Sequence, residues 1–223
     1  NMAKLSGVFL SGLLALLPAG VFSEDIAGTR LIPVASRHEL AAHLPRDTTL
    51  LHHPVGIETF LAALDSSPPD WHALHGAHGD HPSEQLFALN RERDRLRAGR
   101  HALAQRITFL WDGVLSGYVP DKGGFLVAIG PETIATKWGV VRFKPENLPD
   151  ELVAVPSAKL KASLRKRAAR GETVTVIVAM TGRLVPDESL IYDFAHEDPG
   201  QGMIMPMVRV ELIDYFLGRT STR

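Results

Sequence analysis

The sequence predicts an α+β fold, with an N-terminal, mainly helical segment followed by a small antiparallel β domain. Three observations predict it. Before residue 106, apolar residues recur at helical spacing. After it they fall into short runs separated by Gly-, Pro- and Asn-rich turns. The 223 residues are 45% hydrophobic and 22% charged, an ordinary globular composition able to bury a substantial core.

Residues 1–23 read as a signal peptide or an N-terminal anchor. Lys4 supplies the positive start, residues 5–22 carry no charge, and Pro18 and Gly20 break the helix before Val21-Phe22-Ser23. That is the three-part pattern of a secretory leader cleaved before Glu24, and Pro18 shortens any regular span. A periplasmic or secreted location follows, with anchoring to the inner membrane by residues 5–22 as the alternative. Without cysteine, disulfides, thiolate metal sites and a lipidated leader are excluded.

Residues 24–105 form the helical region. A strand is expected over 29–34, then a helix from Arg37 to Leu44 capped by Ser36. A second helix is expected from Gly56 to Leu64, with Ile57, Phe60, Leu61 and Leu64 on one face. Residues 65–83 are rich in Pro, Gly, Ser, Asp and His and read as a long loop. Ser83 then caps a helix over about 84–105.

Residues 106–223 form the β-rich domain. Strands are expected at 107–111, 125–129, 139–143 and 151–155. A helix over 158–170, capped by Ser157, precedes two long strands at 173–185 and 203–215. Strands, one helix, then two strands is an order that resembles the OB-type barrel, in which a helix plugs the barrel between strands three and four.

Charge narrows the function. Lys and Arg number 24 against 25 Asp and Glu, which excludes a strongly basic nucleic-acid binder. His38 and His43 are spaced one residue too far for a zincin helix, no nucleophile elbow appears, and no phosphate loop or dinucleotide fingerprint is present. The reading leans away from an enzyme.

Three groups remain. His72, His75, His78 and His81 step by three through the loop, where Gly76 and Gly79 let the chain wrap; converging imidazoles would suit Zn, Cu(II) or Ni. A regular helix there would argue against a shared ion. Met203, Met205 and Met207 alternate, so they share a strand face and offer soft thioethers to Cu(I) or Ag(I), the first two as the metal-ligating pair. With His196 upstream, the pair is similar to small periplasmic copper and silver carriers, although the spacing differs and no Trp adjoins the pair. Finally, Lys159, Lys161, Arg165, Lys166, Arg167 and Arg170 lie in one helix with no acid between them. This face is expected to meet an envelope protein partner or an anionic membrane surface. Tyr118, Trp138 and Arg142 are expected to line a barrel mouth as a second binding surface.

The expected function is therefore an exported envelope binding or assembly module without catalysis. A metal-handling protein using the His loop or the Met strand is the alternative.

Overall fold

A computed structural model describes residues 26–76, 82–197 and 200–218. Among these the architecture is mixed α+β, with five α-helices around a large mixed sheet of eleven strands that is not closed. Along the chain run β1 (Leu31–Val34), α1 (Arg37–His43), β2 (Thr49–Leu50), α2 (Pro54–Asp65), α3 (Trp71–Gly76) and α4 (Pro82–Arg97). Then come β3 (Ile107–Val119), β4 (Gly124–Gly130), β5 (Ile134–Thr136), β6 (Gly139–Val141), β7 (Lys144–Pro145) and β8 (Val153–Ala154). The last elements are α5 (Ala158–Ala169), β9 (Val174–Leu184), β10 (Leu190–Phe194) and β11 (Gly202–Gly218).

Capping chemistry sets several boundaries. Ser36 Oγ accepts from Glu39 N at 3.2 Å to start α1, and Ser157 Oγ accepts from Leu160 N at 3.4 Å to start α5. Helix α4 ends at Arg97, short of the expected 105. Gly99 has φ 78°, and a 3-10 turn, His101–Ala104, follows. The loop expected over 65–83 contains α3, started by Asp70, whose Oδ1 accepts from Ala73 N at 3.0 Å.

Strand β11 is the spine of the sheet. Antiparallel β10 runs along Gly202–Pro206 and antiparallel β9 along Val208–Phe216. The opposite edge carries three parallel strands in turn: β6 at Met203–Ile204, β7 at Met207–Val208 and β1 at Tyr215–Gly218. The path continues from β9 through β3 and β4 to β8. One isolated bridge, Arg30 to Val155, links the start of β1 to the end of β8; Leu31 N donates to Val155 O at 3.0 Å.

In place of the expected small antiparallel, OB-like domain, the described residues form one sheet of eleven strands, parallel as well as antiparallel, that is not closed. The parallel edge of β11 is divided among β6, β7 and β1, pieces too short for the element order to reveal.

One apolar core spans both halves of the chain. Ile57, Phe60, Leu61 and Leu64 of α2 join Phe109, Trp111, Val178, Met180, Ile213 and Tyr215 of the sheet in a single cluster. Alternation then sends Leu110, Ala179 and Phe216 to the other face, where Leu40 and Leu44 of the α1 segment cover them. No helix of the described residues is long and apolar enough to cross a membrane.

Candidate functional site

The basic helix α5 lies where its sequence pattern puts it. Leu164 is buried and Leu160 packs against the core, so the apolar stripe faces inward. The charges face out: Lys159, Arg165, Lys166 and Arg170 are exposed, and Lys161 and Arg167 are half-buried. Glu172 engages two of them, accepting from Arg167 Nε at 2.9 Å and pairing with Arg170 Nη2 at 2.7 Å. Those two contacts hold the Glu172 carboxyl below its ordinary range. Among the described residues, Lys159, Lys161, Arg165 and Lys166 have no carboxylate within salt-bridge distance. The Arg165 guanidinium sits over the Tyr118 ring, 4.6 Å from its centroid, and Tyr118 in turn contacts Phe125 at 5.2 Å. This cation–π contact fixes one arginine in place, lowering the entropy lost on binding.

Tyr118 therefore joins the basic helix instead of sharing a mouth with Trp138 and Arg142. Trp138 is buried, and its carbonyl accepts from Trp71 Nε1 at 2.7 Å. Arg142 is half-buried beyond β6, its backbone N–H donating to Ile204 O.

The histidine set is divided. His78 and His81 lie outside the described residues. His72 and His75 stand on α3, a short regular helix instead of the expected wrapped loop, where a spacing of three places them on neighbouring turns of one face. Both are exposed; the His75 ring lies tilted against Phe194, centroids 4.4 Å apart, and its Nε2 donates to Gln201 O at 3.2 Å. Met203 and Met205 are both half-buried on one face of β11, opposite Asp193 and Ile191 of β10. Among the described residues no group of three or more His, Asp or Glu side chains could hold a metal ion.

The most buried polar cluster was not legible in the sequence. Asp65, at the end of α2, accepts from Arg97 Nε at 2.6 Å through Oδ1 and from the Tyr192 hydroxyl through Oδ2. Arg97 Nη1 donates to Asp94 Oδ1 at 2.6 Å and to Ser189 Oγ at 3.1 Å, and only 1% of the arginine is exposed. Burial, then the Asp65 charge, pushes the Tyr192 phenol up; burial also raises Asp94 against the opposing Arg97. Beside this cluster, Ser66 (φ 65°, ψ −41°) forms a tight turn in which Ser67 N donates to Asp65 O at 2.7 Å. Arg93 Nη1 donates to Ser67 O at 2.7 Å, so residues 93 and 97, neighbours on one helix face, both clamp this turn. The Asp65 carboxylate and the Tyr192 hydroxyl are engaged within the cluster, Arg97 Nη2 is buried without a hydrogen-bond partner among the described residues, and the arrangement fixes α4 against α2 and β10.

A second titratable pair stands on the outer face of the sheet. Asp112 of β3 borders an open groove of about 400 Å³ with Val114, Ala128 and Thr175. Burial, then hydrogen bonding to Asp112 and the Asp112 charge, pushes Glu132 up to about 7, with Arg37 opposing. The folded value lies above the ordinary 4.5 of a free glutamate. The stability this proton provides is therefore present in mild acid and is lost as pH rises through 7. Because Glu132 is only half-buried, solvent screening reduces the effect to on the order of 1 kcal/mol. We expect the urea midpoint to fall between pH 5.5 and 8, and Glu132→Gln to flatten that slope. An unchanged slope in the variant would show that the pair does not share a proton.

Comparison with family models, with curated proteins and with solved structures gives no match to this chain.

Proposed function

We propose that this chain is an exported, non-catalytic binding module of the periplasm or cell envelope that holds an acidic segment of a partner protein across α5. The observation that supports the reading is the uncompensated row Lys159, Lys161, Arg165 and Lys166, with Arg165 already oriented by Tyr118. Export rests on the leader pattern of residues 2–23. An acidic protein segment suits the face better than a membrane. Leu164 is buried and Leu160 packs against the core, so the helix offers only charge, and a helix lying in a lipid interface needs an exposed apolar side.

The test uses a fluorescent Glu/Asp-rich dodecapeptide and the purified chain, read by anisotropy. Binding is expected at low ionic strength and should weaken steeply with salt. The triple variant Lys159→Glu, Arg165→Glu, Lys166→Glu is expected to lose at least about tenfold in affinity, equivalent to roughly 1.4 kcal/mol. Equal affinity in the variant would overturn the reading. So would preferential binding to vesicles of anionic lipid, which would make the face a membrane contact.

A further inference from the structure

We propose that the groove between α4 and β10, continued over the outer face of β10, β11 and β6, is a second docking surface, and that its occupant is a partner segment carrying apolar side chains beside Lys or Arg. The groove has a volume of about 420 Å³ and is lined by Phe87, Asn90, Arg91, Asp94, Asp187, Glu188, Leu190 and Ile191. Phe87 is 63% exposed, a large aromatic ring left in water at the groove wall. From Ile191 an apolar strip continues across the sheet, bordered by Asp193 on β10. Ile191 faces Met205 across the β10–β11 ladder, and Met203 faces Val140 across the β11–β6 ladder. Directly opposed residues share a sheet face, and all four are half-buried. Methionines in such a position adapt to varied side chains, which absorbs the Met203–Met205 alternation into a contact surface.

Charge selects the partner. Asp187 and Glu188 line one end of the groove and have no Lys or Arg within salt-bridge distance among the described residues. Asp94 is already held by Arg97, and Asp193 stands opposite Met203. The one cation in the lining, Arg91, is drawn over the Phe87 ring at 5.6 Å. A basic segment gains from this arrangement, and an acidic one or an anionic lipid surface is repelled.

Strand addition is not the mode of docking. Asn90 closes the outer edge of β10 at its centre. Its Oδ1 accepts from Tyr192 N at 2.8 Å and its Nδ2 donates to Tyr192 O at 2.8 Å. The backbone that an incoming strand would pair with is thus occupied, and recognition falls to side chains. This surface is distinct from α5 and opposite in charge preference, so the two assignments stand or fall separately.

The probe is a labelled sixteen-residue helical peptide of alternating Leu-rich and Lys-rich faces, with a Glu-for-Lys version as control. Anisotropy is combined with backbone amide shift mapping of the full chain. We expect the Lys peptide to bind, the Glu peptide not to bind at this groove, and the shifts to cluster at Phe87, Ile191, Met203 and Met205. Phe87→Ser and Glu188→Lys are each expected to weaken binding by about tenfold, as removal of an anchor or a charge partner does. Both positions are exposed, and an unchanged thermal midpoint confirms that each variant is folded. Shifts confined elsewhere, affinities unmoved by both variants, or no binding up to millimolar peptide would overturn the proposal. Sedimentation of the chain alone supplies the remaining arm. Self-association abolished by Phe87→Ser would assign the surface to a second copy and overturn the partner proposed here.

Discussion

Arg97→Ala is expected to cost about 3–5 kcal/mol, the range measured when one partner of a buried ion pair is removed. The arginine is 1% exposed and donates to Asp65, Asp94 and Ser189 at once. Its loss leaves the Asp65 carboxylate buried with only the Tyr192 hydroxyl and a distant Arg93, 3.7 Å away, to compensate it. Urea denaturation at neutral pH measures the loss. Adding Asp65→Asn to the variant removes the uncompensated charge and is expected to restore part of the stability. An additive double variant would show that the two side chains do not act as a pair. Arg97→Met, which fills most of the volume without charge, separates the packing of the site from its electrostatics.

Gly202→Ala is expected to have a comparable effect for a different reason. A Cβ on Gly202 would fall inside the indole of Trp71, overlapping Cε2, Cδ2 and Cζ2. Trp71 cannot move away cheaply, because its Nε1 is committed to the Trp138 carbonyl and its ring meets Tyr192 edge-on at 6.0 Å. Overpacking of this kind costs typically 1–3 kcal/mol, and more where backbone must shift. Here the shift would displace the first residue of β11 from its pairing with Phe194. Thermal unfolding of Gly202→Ala against Gly202→Ala combined with Trp71→Ala tests the mechanism. In the double variant the clash is gone and only the lost packing of the indole remains. If the two changes were simply additive, contact between these residues would not be the cause.

Both expectations concern contacts between residues far apart in sequence, and this marks the limit of what could be read from the chain alone. Local signals carried well. The Ser36 and Ser157 caps, the α2 face of Ile57, Phe60, Leu61 and Leu64, and the Leu160–Leu164 stripe are each written within a dozen residues. Helix α3 was concealed by its composition, since Pro, Gly and His around it argue for a loop; the Asp70-Trp71 start, a capping residue before an apolar one, was the signal that could have revealed it. Strand β10 was hidden because Pro186, Asp187, Glu188 and Ser189 read as the end of structure rather than a turn into a further strand. The short parallel pieces β1, β6 and β7 carry no signature of their pairing, because register against β11 is decided by the partner's position in space. The basic helix was visible as a charge row, but its link to Tyr118 was not. That link requires β3 to end beside α5, which no local pattern encodes.

The dependence of the sheet on β11 has a consequence for how the protein is made. Five other strands pair with it, from β1 near the amino end to β10 immediately before it. Strands β3, β4, β8 and β9 can pair with one another without it, but among the described residues β1, β7 and β10 have their ladder partner only in β11 and must wait for it. Such late closure is slow, because the longest loops must be shut last.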